Sequence, residues 1–197
     1  MGEKSLWFTE GCLHIADFAG FDHMLFLLVL CTPYFGNKHL KQLFWLITGF
    51  TIGHSLSLAL SVVGFIKLPS AWVEMGIAIT ILITALMAIL HKEEAENKSF
   101  LPKLGLVVFF GLVHGLGFST LLKSMLSDQT SLLEPLLFFN LGLEAGQILI
   151  VLVLFSICWL LENRLKIKLS RQIKVYGLIA VVVSLVLTWQ RLQEIIN

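Results

Sequence analysis

Charged residues are scarce in this sequence. Asp, Glu, Lys and Arg make up 14% of its 197 residues, whereas 57% of the residues are hydrophobic. An average soluble domain carries about 25% charged residues. A soluble core of this length cannot bury so much apolar surface, which excludes an ordinary water-soluble domain. Several apolar stretches instead approach the roughly 20 residues that cross a bilayer as a helix.

Cysteine is rarer still, with three residues, and common signatures of soluble enzymes are absent. Cys12, Cys31 and Cys158 are scattered and form no Cys-x-x-Cys pair, so they do not indicate disulfides. The sequence contains no glycine-rich nucleotide loop and no Gly-x-Ser-x-Gly motif. A formal net charge of +1, without a basic surface, argues against a nucleic-acid partner. No basic region precedes a long apolar core at the N-terminus, so no cleaved signal peptide is expected.

The apolar stretches predict an all-α membrane protein with a single transmembrane domain over residues 1–197. Its architecture is a polytopic bundle of about six helices, because a spanning backbone must satisfy its own hydrogen bonds. Residues 1–17 mix aromatic and acidic side chains and are expected to lie at the outer interface. The predicted spans are 18–35, 40–64, 72–90, 104–126, 133–161 and 173–191.

The basic residues predict how these spans are oriented. Since consecutive loops alternate sides, ten of the 14 Lys and Arg residues fall on one side of the membrane and four on the other. The side with more basic residues is cytoplasmic by the positive-inside rule, which leaves both termini extracytoplasmic. The ten residues are Lys38, Lys41, Lys92, Lys98, Lys103, Arg164, Lys166, Lys168, Arg171 and Lys174.

Ionisable side chains inside the predicted spans are few and are spread over nearly all of them. A charged group at mid-bilayer costs about 2.5–3.5 kcal/mol on insertion scales, so such residues usually have a role. Because almost every span contributes one, we expect them to converge on a shared interior in the outer half of the bundle. The residues are Asp22, His23, His54, Glu74, His114 and Glu144.

Three polar residues of the fifth span share one helix face. Asn140, Glu144 and Gln147 are spaced i, i+4 and i+7, which stacks their side chains. Gly142 and Ala145 thin the neighbouring surface and let another helix approach closely. The polar stripe is therefore predicted to face other helices and not lipid.

Side chains of these types bind divalent transition metals. His23, His54 and His114 supply imidazoles, which suit Ni, Zn, Cu or Fe. Asp22 and Glu144 add carboxylates that compensate the charge of the ion. Asp22 has a second option, because it can accept a hydrogen bond from a nearby histidine and orient that ring. The alternative to a metal site is a buried hydrogen-bonded network that locks the bundle.

Five short motifs contain most of these polar residues. They are "HIADFAGFDHMLFLL" (14–28), "FTIGHSLSLAL" (50–60), "VEMGIAI" (73–79), "FGLVHGLGF" (110–118) and "FNLGLEAGQ" (139–147). Together and in this order they resemble the HupE/UreJ family of small bacterial membrane proteins. The resemblance implies a protein of the bacterial cytoplasmic membrane, an accessory role for hydrogenase or urease, and transport of nickel or a related divalent cation.

The resemblance also implies site residues, position by position. The interval from His14 to Asp22 is longer than the usual spacing in the family. The implied metal ligands are His14, Asp22, His23, His54, His114 and Glu144. The implied supporting residues are Ser55, Glu74, Asn140 and Gln147.

Transport of a divalent metal is the function that the family resemblance favours. In this hypothesis Ni²⁺ or a related cation is held by histidines and a carboxylate and is released inward along the fifth span. The alternative is an intramembrane zinc-dependent hydrolase for a lipid or peptide of the outer leaflet. Its general base would be Glu144 or Asp22, and Ser55 would orient an oxyanion. A metal sensor or an assembly partner for other membrane proteins is a third option, and a homo-oligomer is compatible with each.

Overall fold

The computed structural model describes residues 2–17, 20–35, 39–90, 100–125 and 132–197. In these ranges it contains seven α-helices and no strand, which confirms the predicted all-α class. Helices α3 to α7 are each long and apolar enough to cross a membrane, so the chain is a helical membrane bundle. The helices are α1 (Glu3–Ile15), α2 (Asp22–Cys31), α3 (Leu40–Val62), α4 (Ser70–Ile89), α5 (Phe100–Met125), α6 (Leu133–Asn163) and α7 (Leu169–Ile196), with a short 3-10 helix at Thr32–Tyr34.

The first predicted span, 18–35, differs most from the structure. Its helix begins only at Asp22 and, together with the 3-10 helix, ends at Tyr34, which is shorter than a full crossing requires. Residues 18–19 of that span lie outside the described ranges. The segment 1–17, expected at the outer interface, contains helix α1, and this helix packs into the bundle against α6. The later predicted spans correspond to α3 to α7, with their ends shifted by a few residues.

Helices α1 and α2 follow one another along α6. Near the starts of α1 and α6, Lys4 Nζ is 3.1 Å from Glu134 Oε1. Further along, directly after the 3-10 helix, the ring of Phe35 packs on that of Phe155 with centroids 4.5 Å apart. Both helices therefore run in the direction of α6, and we interpret them as two halves of one interrupted crossing, about 20 Å and about 15 Å long at 1.5 Å per residue. Such a break is tolerated in a membrane where it lines a cavity within the protein.

Close backbone packing holds α3 and α5 parallel. Gly53 lies against Val108, and further toward the ends of both helices Gly115 lies against Ser57. A methyl group at either glycine would collide with the facing helix. Small residues of this kind let two helices approach closely, which places the side chains of α3 and α5 beside each other in the interior.

Helices α4 and α7 run antiparallel, and the start of α1 and the end of α7 lie at the same end of the bundle. Glu74 near the start of α4 pairs with Arg191 near the end of α7, with Oε2 and Nη2 2.6 Å apart. We call this end the terminal end. At the opposite end, α2 and α4 end and α5 begins, and we call this end the loop end. Tyr34, Ala88 and Lys103 come together there around one small cavity.

The orientation of the bundle in the membrane stays a prediction. Three of the basic residues on which it rests, Lys38, Lys92 and Lys98, lie outside the described ranges. If the positive-inside rule holds for this chain, the loop end faces the cytoplasm.

Candidate metal centre

Four histidines from four helices meet where the first crossing is interrupted. His14 lies in the last turn of α1, His23 in the first turn of α2, and His54 and His114 well inside α3 and α5. The ring centroid of His23 is 4.8 Å from that of His14, 5.9 Å from that of His54 and 5.0 Å from that of His114. His54 and His114 are fully buried, and His23 is 5% exposed. We call these four residues the histidine cluster.

Five ring nitrogens of the histidine cluster lack a hydrogen-bond partner in the described part of the chain. These are Nε2 of His14, Nε2 of His23, both nitrogens of His54 and Nδ1 of His114, all buried and without a hydrogen-bond partner among the described residues. A buried polar group left unpaired costs about 1–3 kcal/mol. Within the part of the chain that the structure describes, His14, His23 and His54 also offer ligand atoms that all lie within 4.8 Å of one another. A cation bound between these rings would satisfy their lone pairs.

Asp22 fixes the orientation and the tautomer of the neighbouring His23 ring. Its Oδ1 lies 3.1 Å from Nδ1 of His23 and also accepts the His23 backbone N–H at 2.9 Å. Because a carboxylate only accepts, Nδ1 carries the hydrogen, and in the neutral ring Nε2 presents its lone pair. A histidine held in this way by a carboxylate is typical of metal sites. This is the second of the two roles that the sequence allows for Asp22.

Thr80 fixes the tautomer of His114 in a similar way. It was not among the residues predicted from the sequence. Its hydroxyl donates to the carbonyl of Ile77 at 2.7 Å and therefore accepts from Nε2–H of His114 at 2.9 Å. Nδ1 of His114 is then left with a free lone pair. A single threonine in an apolar helix ordinarily bonds to its own backbone, so no local pattern distinguishes Thr80 from Thr84.

Thr80→Val is expected to weaken metal binding about tenfold, because valine keeps the shape of threonine but cannot accept the Nε2–H of His114. Titration of Ni²⁺ into the detergent-purified protein measures the effect. Thr80→Ser keeps the hydroxyl and is the matched control, with an affinity close to that of the wild type. An unchanged affinity in Thr80→Val would contradict the role of the hydroxyl.

The polar stripe of α6 faces α3. Glu144 Oε1 accepts the hydroxyl hydrogen of Thr48 at 2.7 Å, and Gln147 Oε1 accepts that of Thr51 at the same distance. Glu144 does not belong to the group of ligand atoms that approach within 4.8 Å of one another in the described part of the chain. Thr48 holds its carboxylate instead, about two helical turns along α3 from His54.

The two remaining polar residues expected near the site bind helix backbone. Ser55 Oγ donates to the carbonyl of Thr51 at 2.6 Å. Asn140 Nδ2 donates to the carbonyl of Leu136 at 2.7 Å, and its buried Oδ1 finds no partner among the residues described. The structure thus brings the four histidines and Asp22 together, whereas Ser55 and Glu144 make contacts elsewhere.

A cavity of about 410 Å³ runs from the histidine cluster toward the terminal end. His14, His23 and His114 line its inner part. Glu74, near the start of α4, and Arg191, near the end of α7, line it at the terminal end. Three carboxylates, those of Asp17, Asp22 and Glu74, face this cavity together with the single guanidinium of Arg191. A cleft with an excess of negative charge raises the local concentration of cations. We call it the large cavity.

A family model described as "HupE / UreJ protein" matches residues 3–193. No curated protein and no solved structure matches the chain. The match covers nearly the whole chain, including α1 and the histidine cluster.

Proposed function

This chain belongs to the HupE/UreJ family, and from that premise we propose that it transports a divalent transition-metal cation, with Ni²⁺ as the first candidate. The cation is the cargo, and its binding site is the histidine cluster. The family is associated with nickel uptake, which agrees with the chemistry of imidazole ligands.

The observation that carries this proposal is the set of buried, unpaired ring nitrogens. His14, His23 and His54 bring ligand atoms within 4.8 Å of one another. Because Asp22 binds Nδ1 of His23, the Nε2 atom of that ring faces away from the carboxylate. Neutral imidazole is a strong ligand for Ni²⁺ and Zn²⁺. Water from the large cavity would complete the coordination of an ion held at this place.

The large cavity supports transport by giving the cation access from the terminal end. Its carboxylates attract positive ions, and the site lies at its inner part. If the loop end is cytoplasmic, the cation arrives from outside the cell. That direction is the one required for uptake.

A zinc-dependent hydrolase has less support. Its expected general base Glu144 is hydrogen-bonded to Thr48, and its expected oxyanion residue Ser55 donates to a helix carbonyl. Asp22 is close to the histidines but is already engaged by the ring of His23. The residues named for hydrolysis are therefore not assembled around one reacting atom.

Wild-type protein tests the proposal directly. Purified protein is expected to bind about one Ni²⁺ per chain, and proteoliposomes that contain it are expected to accumulate ⁶³Ni above protein-free vesicles. Absence of bound metal would contradict the site. Tight binding without any flux would contradict transport and leave a hydrolase or a sensor.

A further inference from the structure

A second, smaller cavity lies on the other side of the histidine cluster. It has a volume of about 70 Å³ and is formed mainly by α2, α4 and α5 toward the loop end. Thr84, Ala88, Lys103 and Phe110 are among its lining residues. We call it the small cavity.

The two cavities follow one another along the same two helices. On α4, Ala78 lines the large cavity and Thr84 the small one. On α5, His114 lines the large cavity and Phe110 the small one. His114 and Phe110 are four residues apart, which is about 6 Å along a helix. Roughly one helical turn of protein therefore separates the two cavities.

Three phenylalanine rings fill the space between them. Phe26 of α2 and Phe50 of α3 are stacked with centroids 4.8 Å apart, and the ring of Phe110 of α5 is 6.2 Å from that of Phe26. All three are at most 2% exposed. The rings of Phe26 and Phe50 each lie 5.2 Å from that of His114. We call these three residues the aromatic block.

The position of the aromatic block is where a transporter needs a barrier. A cation that moves directly from the histidine cluster to the small cavity meets these rings, which carry no oxygen or nitrogen atom to replace its water ligands. Hydrophobic constrictions of this kind close ion pathways because water and ions avoid them. Beyond the rings, the buried hydroxyl of Thr84 again provides an oxygen at the wall of the small cavity.

We propose that the aromatic block is the inner gate of the transport path and that the small cavity is the inner half of that path. The path in this structure is open to the terminal end and closed toward the loop end. The gate opens by movement of α2 against α3 and α5, the helices that carry the three rings. This inference rests on the proposed transport function, because a gate has meaning only if an ion passes.

The test replaces Phe110, whose ring borders the small cavity and has no ring contact with the histidine cluster among the residues described. Phe110→Ala is compared with Phe109→Ala, a change of the same size at a neighbouring residue that is 55% exposed. Ni²⁺ binding is measured in detergent and ⁶³Ni flux in proteoliposomes. Phe110→Ala is expected to bind Ni²⁺ like the wild type while its downhill flux rises at least about tenfold. Phe109→Ala is expected to equal the wild type in both.

Equal flux in Phe110→Ala, Phe109→Ala and wild type would overturn the gate. If Phe110→Ala does not fold, Thr84→Cys replaces it as the test variant. A membrane-impermeant maleimide is applied from either side of the vesicle, and labelling of the wild type, which has its own cysteines, is subtracted as background. Labelling from the loop-end side alone supports the gate, and any other pattern overturns it. Failure of the wild type to bind or carry Ni²⁺ is a failure of the proposed function, which this comparison keeps separate.

Discussion

His54→Ala is expected to lower the affinity for Ni²⁺ more than about 100-fold and to abolish ⁶³Ni uptake by proteoliposomes. Both ring nitrogens of His54 are buried and lack a partner among the residues that the structure describes. Its ring centroid lies 5.6 Å from that of His14 and 5.9 Å from that of His23. Alanine removes one of the three closest ligands, so the remaining pair cannot hold the ion tightly. Calorimetric titration and uptake assays measure the two losses.

His39→Ala is the matched control, because His39 directly precedes Leu40, the first residue of the same helix α3. It is expected to bind and carry Ni²⁺ like the wild type. Thermal unfolding of both variants separates loss of the site from loss of the fold. Since the imidazole of His54 makes no hydrogen bond in the described structure, its removal leaves no new unpaired group. Wild-type affinity in His54→Ala would rule out the histidine cluster as the metal site.

Asp22→Asn is expected to weaken Ni²⁺ binding about 10–100-fold. The amide has the shape of the carboxylate, but it can turn its NH₂ group toward His23 and place the ring hydrogen on Nε2. That hydrogen would occupy the lone pair that faces the metal. The negative charge nearest to the ion is lost as well. Both effects lower the affinity, and the turned amide also loses the hydrogen bond that the Asp22 carboxylate accepts from the His23 backbone N–H.

Asp17→Asn separates these two causes. Asp17 lines the same large cavity, so its replacement removes one charge from the approach of the cation while the carboxylate of Asp22 remains on the ring of His23. We expect it to slow uptake modestly and to leave the affinity within about threefold of the wild type. If the two variants weaken binding equally, charge alone explains Asp22 and its role in orienting His23 is wrong.

The membrane character and most of the helices could be predicted from the sequence. Long apolar runs predict α3 to α7, because the free energy of transfer into a bilayer depends on the composition of each run. The isolated histidines inside two of these runs, His54 and His114, could also be predicted as site residues from the sequence. An ionisable group in apolar sequence is costly, and the cost is visible without any knowledge of the fold.

The interruption of the first crossing could not be predicted in this way. Helix α1 has 13 residues and α2 has 10, so neither resembles a full span. What makes them two halves of one crossing is their common packing along α6. Gly142 of α6, for example, lies directly against the backbone of Phe8. Such a contact joins residues more than a hundred positions apart, and the residues of one helix do not specify it.

The partners of the polar residues also depended on the tertiary structure. The spacing of Asn140, Glu144 and Gln147 predicts a shared face, but it does not say whether that face meets histidines or threonines. The packing of α6 on α3 places Glu144 beside Thr48. Thr80, in turn, became part of the site only because α4 carries it to His114.

The sequence by itself determined that the chain is a helical membrane protein with a few costly polar groups inside. Helix formation and membrane insertion follow from consecutive residues, whose hydrogen bonds and hydrophobicity are local properties. Only the tertiary structure decided which of those groups form one site. The unpaired nitrogens of four distant histidines meet because two half-helices end and begin beside α3 and α5. That meeting is set by close packing between helices, which depends on shape across the whole bundle.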